Sequence, residues 1–292
     1  MRNKIFKTWS IILLIASVCS SGCTKSDNPD KGTLPAAIII NHSNMDINSI
    51  PEEWISKARQ NLRIAYSHTS HGSQIIDGMT GLVGFKGSLF KWNDGGTDSA
   101  LDIHDYAMPG DLGNPDRTSW ATETRAYLSS HSDVNVVMWA WCGQVSSSTE
   151  EDINTYLDLM SSLENDYKGV KFVYMTGHLD GTGLTGTLHI RNEQIRNYCK
   201  NNNKILFDFE DIESYNPDNL YFGDKKPDDG CNYDSNNDGT PDGNWAVEWQ
   251  NSHTQGADWY DCPSAHSQPL NANQKAYAAW WLWAIIAGWD GK

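Results

Sequence analysis

The chain has 292 residues, with 22 Lys plus Arg against 37 Asp plus Glu and a formal net charge of −15. That balance excludes nucleic acid and anionic lipid surfaces as partners, because both repel it. A hydrophobic fraction of 39% with 13 Trp is ample for the core of one large domain or two small ones.

Arg2, Lys4 and Lys7 precede an apolar run at 11–18 that is too short to span a bilayer, and Ser20, Ser21 and Gly22 then lead to Cys23. The order positive, apolar, small is that of an export signal. It resembles the lipobox of bacterial lipoproteins, which implies a signal peptide and lipidation site at residues 1–23. Cys23 then carries the lipid, and membrane contact is through that anchor only. Residues 24–48 are polar or irregular and read as a tether, leaving 49–292 as one domain.

Within that domain Ser49 is placed to cap a helix with Pro51 in its first turn and Trp54, Ile55 and Ala58 on one face. Residues 62–66 read as a strand, 71–82 as helical or loop-like, and 85–116 as Gly- and Asp-rich without a clear period. A helix is expected over 118–130, and the apolar run 134–141 reads as a strand buried on both faces. Ser148 and Glu151 have capping-box spacing ahead of the helical stripe Ile153, Tyr156, Leu157, Met160 and Leu163. A strand at 170–176, a helix at 188–201 and a strand at 205–209 follow, and 271–288 is the closing helix. This alternation predicts an α/β domain with a central parallel sheet and helices on both faces. An insertion at about 215–262 interrupts it.

Ligands of such sheets bind beyond the carboxyl ends of the strands. Those ends carry residues 67–73, 141–144 and 177–182, all polar or glycine-containing. Ser70 follows the first predicted strand, and His266 precedes the last helix. A serine is a weak nucleophile alone and needs an imidazole to take its proton. On this layout the chain resembles the SGNH (GDSL-like) hydrolases, which implies a flavodoxin-like three-layer sandwich. The triplet here is His68, Thr69, Ser70, closest to relatives with a histidine two places before the serine and a glycine two places after, matched by Gly72. Pro263 stands where the family has its aspartate, so either Asp261, five residues back, or a backbone carbonyl is left to orient His266. The resemblance implies oxyanion donors at Gly110 and, in place of an asparagine, Gln144. His68, His71, Trp141, Cys142, His178 and Asp180 are then expected to contact substrate. His68 and His71 also form an H-x-x-H pair that, on a helix, would face one way toward a metal shared with His178 or Asp180, but no motif such as H-E-x-x-H accompanies it and no cofactor is expected for catalysis.

The insertion carries Asp234, Asn236 and Asp238 at the first, third and fifth positions of an EF-hand-like loop. Gly239 is at the turn, Thr240 and Asp242 follow, and Trp245 stands where a full EF-hand has glutamate. The pattern resembles the single calcium loops of thrombospondin type 3 repeats, so structural Ca2+ is expected. Cys231 and Cys262 bracket this polar stretch and are expected to be bridged after export. Trp245, Trp249, Trp259 and Tyr260 offer flat faces of the kind that suit sugar rings.

Together these features predict an exported lipoprotein hydrolase: a carbohydrate esterase that deacetylates acylated glycans by a Ser70–His266 mechanism. One alternative is a glycan-binding lipoprotein without catalysis. The other is a glycan-cleaving enzyme using His68, His71, His178 and Asp180 as acids and bases.

Overall fold

The computed structural model describes residues 36–292, so the stretch read as a signal peptide, Cys23 and the stretch read as a tether up to residue 35 lie outside the described residues. Seven strands form the central sheet: β1 (Ile38–Ile40), β2 (Arg63–Ser67), β3 (Trp92–Asn93), β4 (Leu101–Asp105), β5 (Val136–Trp139), β6 (Lys171–Met175) and β7 (Ile205–Phe207). Their order is β1-β7-β6-β5-β2-β4-β3, and every pairing is parallel. The helices are α1 (Glu52–Asn61), α2 (Ser73–Lys86), α3 (Ser119–Ser130), α4 (Glu150–Asp166), α5 (Thr187–Asn201), α6 (Phe209–Glu213), α7 (Trp245–Ser252) and α8 (Pro269–Ile286).

Consecutive residues in β2 (Ile64, Ala65, Tyr66), and all four of β5, are buried. Side chains of both parities are therefore covered, which requires helices on both faces of the sheet. Helices α1 and α2 pack along α8, while α3, α4 and α5 pack in series. This is the expected α/β three-layer sandwich with flavodoxin-like topology. From β2 the chain moves to β4 on one side, then returns to β5 on the other. The loops after β2 and β5 consequently diverge and leave a crevice at the sheet's topological switch point.

Three strands were not expected. β1 lies inside the stretch read as tether, where Ile38, Ile39 and Ile40 pair with Ile205, Leu206 and Phe207. The domain thus begins before residue 49. β3 and β4 lie in the stretch read as irregular. In β4 the polar Asp102 and His104 alternate with Leu101 and Ile103, and Asp102 is buried because it meets Arg63 and His104. Ser49 does not cap α1; it ends a single 3-10 turn, and Pro51 holds the cap position without a side-chain bond. The capping box of α4 sits one residue later than expected, at Thr149 and Asp152.

The insertion has its own small core. Phe222, Cys231, Tyr233, Trp245, Ala246, Trp249 and Leu270 are buried together, with Trp259 packed against them. The tryptophans expected to face a sugar are therefore core residues. Trp249 is 8% exposed, stacks on His253 at 3.6 Å and donates to Asp218. The expected disulfide is not formed: Cys231 and Cys262 are both free. Cys231 Sγ meets Ser267 Oγ at 3.3 Å, whereas Cys262 lies against Gly81 of α2 and Asn273 of α8. Burial pushes both thiols up to about 12. In the 234–242 loop, buried Asp234 accepts from the N–H groups of Asp238 and Gly239, and Asp242 accepts from Ser235. No helix among the described residues is long and apolar enough to cross a membrane.

α8 is buried nearly all round, as a central helix must be. It runs close to α2, where a Cβ on Gly78 would lie 2.1 Å from the Ala272 carbonyl oxygen. One full charge sits in it. Lys275 is 0% exposed and donates to Glu213 Oε1 of α6 and to Gln74 Oε1 of α2. Burial pushes the Lys275 ammonium below the ordinary lysine range, opposed by the Glu213 carboxylate. Removing one partner strands the other charge in the core. Lys275→Met is therefore expected to lower stability by about 3–5 kcal/mol, read as a shifted denaturant midpoint at constant slope. Combining it with Glu213→Gln is expected to recover part of the loss. A loss in the single variant under about 1 kcal/mol would mean the pair contributes no more than a surface bridge.

Candidate active site

β2 ends at Ser67, whose hydroxyl accepts from Met108 N–H at 2.7 Å and donates to the Met108 carbonyl at 3.0 Å. The chain then turns through residues 68–72 into α2. A Cβ on Gly72 would lie 2.3 Å from His68 Cβ and 2.8 Å from both Ala140 Cβ and the Tyr66 hydroxyl. Only glycine permits this approach, and it brings the loop after β2 against the loop after β5.

Three side chains line up across that contact. Cys142 Sγ, after β5, is 3.5 Å from His71 Nδ1, and His71 Nε2 is 2.9 Å from Asp229 Oδ2 of the insertion. Ser70 Oγ is 3.7 Å from the same sulfur. Thiol, imidazole and carboxylate thus stand in the order nucleophile, base, orienting acid. His71 also stacks with His178, at 3.5 Å and 6°, and with His266, at 4.5 Å and 20°.

The electrostatics follow from these contacts. Burial pushes the Cys142 thiol up, but hydrogen bonds from Thr69, His71 and Ser70 more than offset it and leave its pKa below the ordinary thiol value. Burial disfavours the charged His71 ring, yet the bond to Asp229, then that to Cys142, raise its pKa above the ordinary imidazole value. Asp229 is lowered despite burial by its bond to His71 and by the charges of His178, His71 and His266. His178 is pushed down by burial and by the neighbouring His71 charge. Its Nδ1 faces the Leu179 carbonyl at 2.8 Å, and its buried Nε2 has no partner among the described residues. Both directions favour the charged pair, a Cys142 thiolate beside a His71 imidazolium, over the neutral one.

Several expected roles change. Ser70 and His266 belong to one cluster, joined through Cys142 and His71, but no hydrogen bond links them among the described residues. Asp261 is exposed, and the carboxylate grouped with His266 is Asp229. The cause is local packing. Tyr260 and Cys262 lie against Gly81, eight residues beyond the start of α2, so Asp261 sits roughly 12 Å along that helix from the active turn. Gln144 is not a free oxyanion donor. Its Oε1 accepts from Cys142 N–H at 3.1 Å, and its Nε2 donates to Asp111 Oδ2 at 2.5 Å. Gly110 is exposed at φ 99°, with open space on the side where a Cβ would stand.

Trp141 is a core residue, 3% exposed, with its indole N–H on the Met175 carbonyl. His68 and His71 do not share a helical face, because α2 starts only at Ser73. His68 turns instead to Asp105 at 2.8 Å, and its other nitrogen meets the Thr69 carbonyl at 2.7 Å. Asp180 accepts from Thr182 and lines a separate polar cavity of about 270 Å³ with His189, Arg196 and Tyr221.

Asp229, Asp105 and Glu213 are the site residues that the sequence pattern missed. Asp105 had a signal, since it closes the alternating run of β4. Asp229 had none, because it meets His71 across 158 residues. Compared with known family models and with curated proteins, the sequence matches none.

A thiolate forms above its pKa and is lost below it. The lowered Cys142 value therefore predicts alkylation that persists below the ordinary thiol range of about 8.5. Iodoacetamide at neutral pH, followed by peptide mass spectrometry, is expected to label Cys142 well before Cys199, Cys231 or Cys262. Asp229→Asn withdraws the charge that raises His71, so less imidazolium remains to hold the thiolate. The onset of labelling should then move to higher pH. An onset unchanged by that variant would mean that Asp229 does not tune the pair.

Proposed function

We propose that this chain is an exported acyl hydrolase whose nucleophile is the Cys142 thiolate. The observation that carries the reading is the contact series Cys142 Sγ, His71, Asp229, at 3.5 Å and 2.9 Å. Export and anchoring through Cys23 are supported by the order of charged, apolar and small residues at the start of the chain.

In the proposed reaction the sulfur attacks the substrate carbonyl carbon, and the carbonyl π-bond becomes an oxyanion. The Ser70 hydroxyl, 3.7 Å from the sulfur, is close enough to donate a hydrogen bond to that oxygen. The protonated His71 then gives its proton to the leaving oxygen or nitrogen, the carbon–leaving-group bond breaks, and an acyl-thioester remains on Cys142. Water next attacks the thioester while His71 takes one of its protons. The acid departs, restoring the thiolate and imidazolium. Asp229 holds the His71 ring throughout and stabilises its charged form. The expected role of Ser70 thus passes from nucleophile to donor, because it is the thiol that the imidazole touches.

An activated aryl acetate tests the assignment. Cys142→Ala is expected to lose on the order of a thousandfold or more in kcat/KM. Ser70→Ala is expected to lose on the order of a hundredfold, the usual cost of one oxyanion donor. Acid quench during turnover should place the acyl mass on the peptide containing Cys142. An acyl group on Ser70 would overturn the thiol assignment in favour of a serine esterase. An acetylated oligosaccharide in the same assay asks whether glycans are the natural substrate class.

For the insertion we propose that the 234–242 loop takes Ca2+, supported by the spacing of Asp234, Asn236 and Asp238 and by the inward-turned Asp234 carboxylate. Calcium is expected to raise the melting temperature by mass action on the native state. Identical melting curves in calcium and in chelator, with Asp234→Ala equally silent, would remove it.

A further inference from the structure

We infer that His71, Asp229 and His266 form a binding site for a divalent cation of the zinc class, and that filling it shuts off the thiol chemistry. The first half stands on the ligand set alone; the second rests on the reading of Cys142 as nucleophile.

One ligand atom from each of the three side chains lies within 4.8 Å of the others, and His71 Nε2 and Asp229 Oδ2 are already 2.9 Å apart. Tetrahedral zinc with bonds of about 2.0–2.1 Å needs its ligand atoms roughly 3.4 Å apart. To share one ion the groups must draw together by an ångström or so, and the exposed His266 ring must turn out of its 20° stack on His71 so that both nitrogen lone pairs point at the ion. Two imidazoles and one carboxylate suit zinc, cobalt or nickel rather than calcium or magnesium, which take oxygen ligands. The donors come from three separate segments: the turn before α2, the insertion and the turn before α8. His71 is buried, Asp229 is partly buried, and His266 is exposed, so one side of the cluster stays open for water as a fourth ligand.

The backbone that carries His266 is fixed, while its exposed ring can turn toward an ion. That backbone is in the left-handed region, at φ 63°, one that histidine enters more readily than most residues. The turn that carries it is closed by Ser267 N–H on the Ser264 carbonyl, and the Ala265 carbonyl accepts from Gln74 at 2.5 Å. Gln74 is in turn bound to Lys275.

The consequence for catalysis follows from the two nitrogens of one ring. Nδ1 of His71 faces Cys142, and Nε2 faces Asp229. A cation on Nε2 displaces the Asp229 hydrogen bond and takes the carboxylate as its own ligand. The imidazole is then fixed with its remaining proton on Nδ1 and cannot shuttle a second one. The thiol keeps its neighbour but loses its acid–base partner. Because Cys142 lies on the opposite nitrogen, the ion does not need the sulfur.

The test uses Co2+ as a spectroscopic probe and Zn2+ as the inhibitor, added to the metal-free full domain in thiol-free buffer. Co2+ is expected to bind one per chain with visible d–d bands and no thiolate-to-cobalt charge-transfer band. Binding should vanish in His266→Gly, which keeps the left-handed backbone, and in Asp229→Asn. Cys142→Ser should still bind. Zn2+ is expected to slow ester hydrolysis at least tenfold. The slowing should be reversed by chelator, and the ratio with and without Zn2+ should fall to near one in His266→Gly. Absence of Co2+ binding overturns the site, and binding that needs Cys142 overturns this ligand set. Binding that leaves turnover unchanged overturns the shut-off. Should the acyl mass fall on Ser70 instead, the thiol reading fails while the Co2+ result still decides the site.

Discussion

The arrangement rests on a buried ion pair that makes no contact with Cys142. Lys275 of α8 meets Glu213 of α6 and Gln74 of α2, all in the interior. Glu213 also accepts from the Leu179 N–H, next to His178, and Gln74 donates to the Ala265 carbonyl, next to His266. A lone ammonium in an apolar helix must be neutralised and hydrogen-bonded wherever it is buried. Meeting that demand fixes α2, α6, α8 and two loops relative to one another. Two rings of the imidazole stack are set upon this hub, because His178 precedes and His266 follows a residue that the hub binds.

Much of the architecture was legible in the chain. The all-apolar run of β5, the stripe of α4 and the closing α8 follow from periodicity alone. Alternation of such elements leaves a parallel sheet as the solution. β1 was not legible because three isoleucines between Ala37 and Asn41 are too short a run to carry a period. β4 was not legible because Asp102 and His104 look solvated until Arg63 is seen beside them. The site was legible as a place but not as a mechanism. Residues 67–73 and 141–144 were expected to converge at the carboxyl edge, and they do. Which side chain the imidazole meets depends on rotamers and on the close approach at Gly72, and neither is written in residue spacing. Ser70 and Cys142 were both in view. Asp229 was hidden, since nothing local distinguishes it from its neighbour Asp228.

The insertion is where expectation and structure part most. Its aromatics and cysteines read as a sugar platform with a staple. In the fold Cys231, Trp245 and Trp249 fill a second core, with Trp259 against it, that reaches the first turn of α8 through Leu270. A loop of this polarity cannot hold shape by periodic packing, so indole rings close beneath it. Cys231 is consumed in that core, while Cys262 is drawn to the far side of the α2–α8 contact. The same folding that hides the tryptophans carries Asp229 to His71.

Nucleophile and base therefore belong to the sheet, whereas the acid belongs to a module with its own small interior. Proteins open in cooperative units, and a satellite core opens at lower cost than the main one. When the insertion opens while the sheet stays closed, Cys142 and His71 still face each other, but with no carboxylate behind the ring. Activity is thus tied to the weaker of two cooperative units, and heating should silence the chemistry before the sheet itself melts.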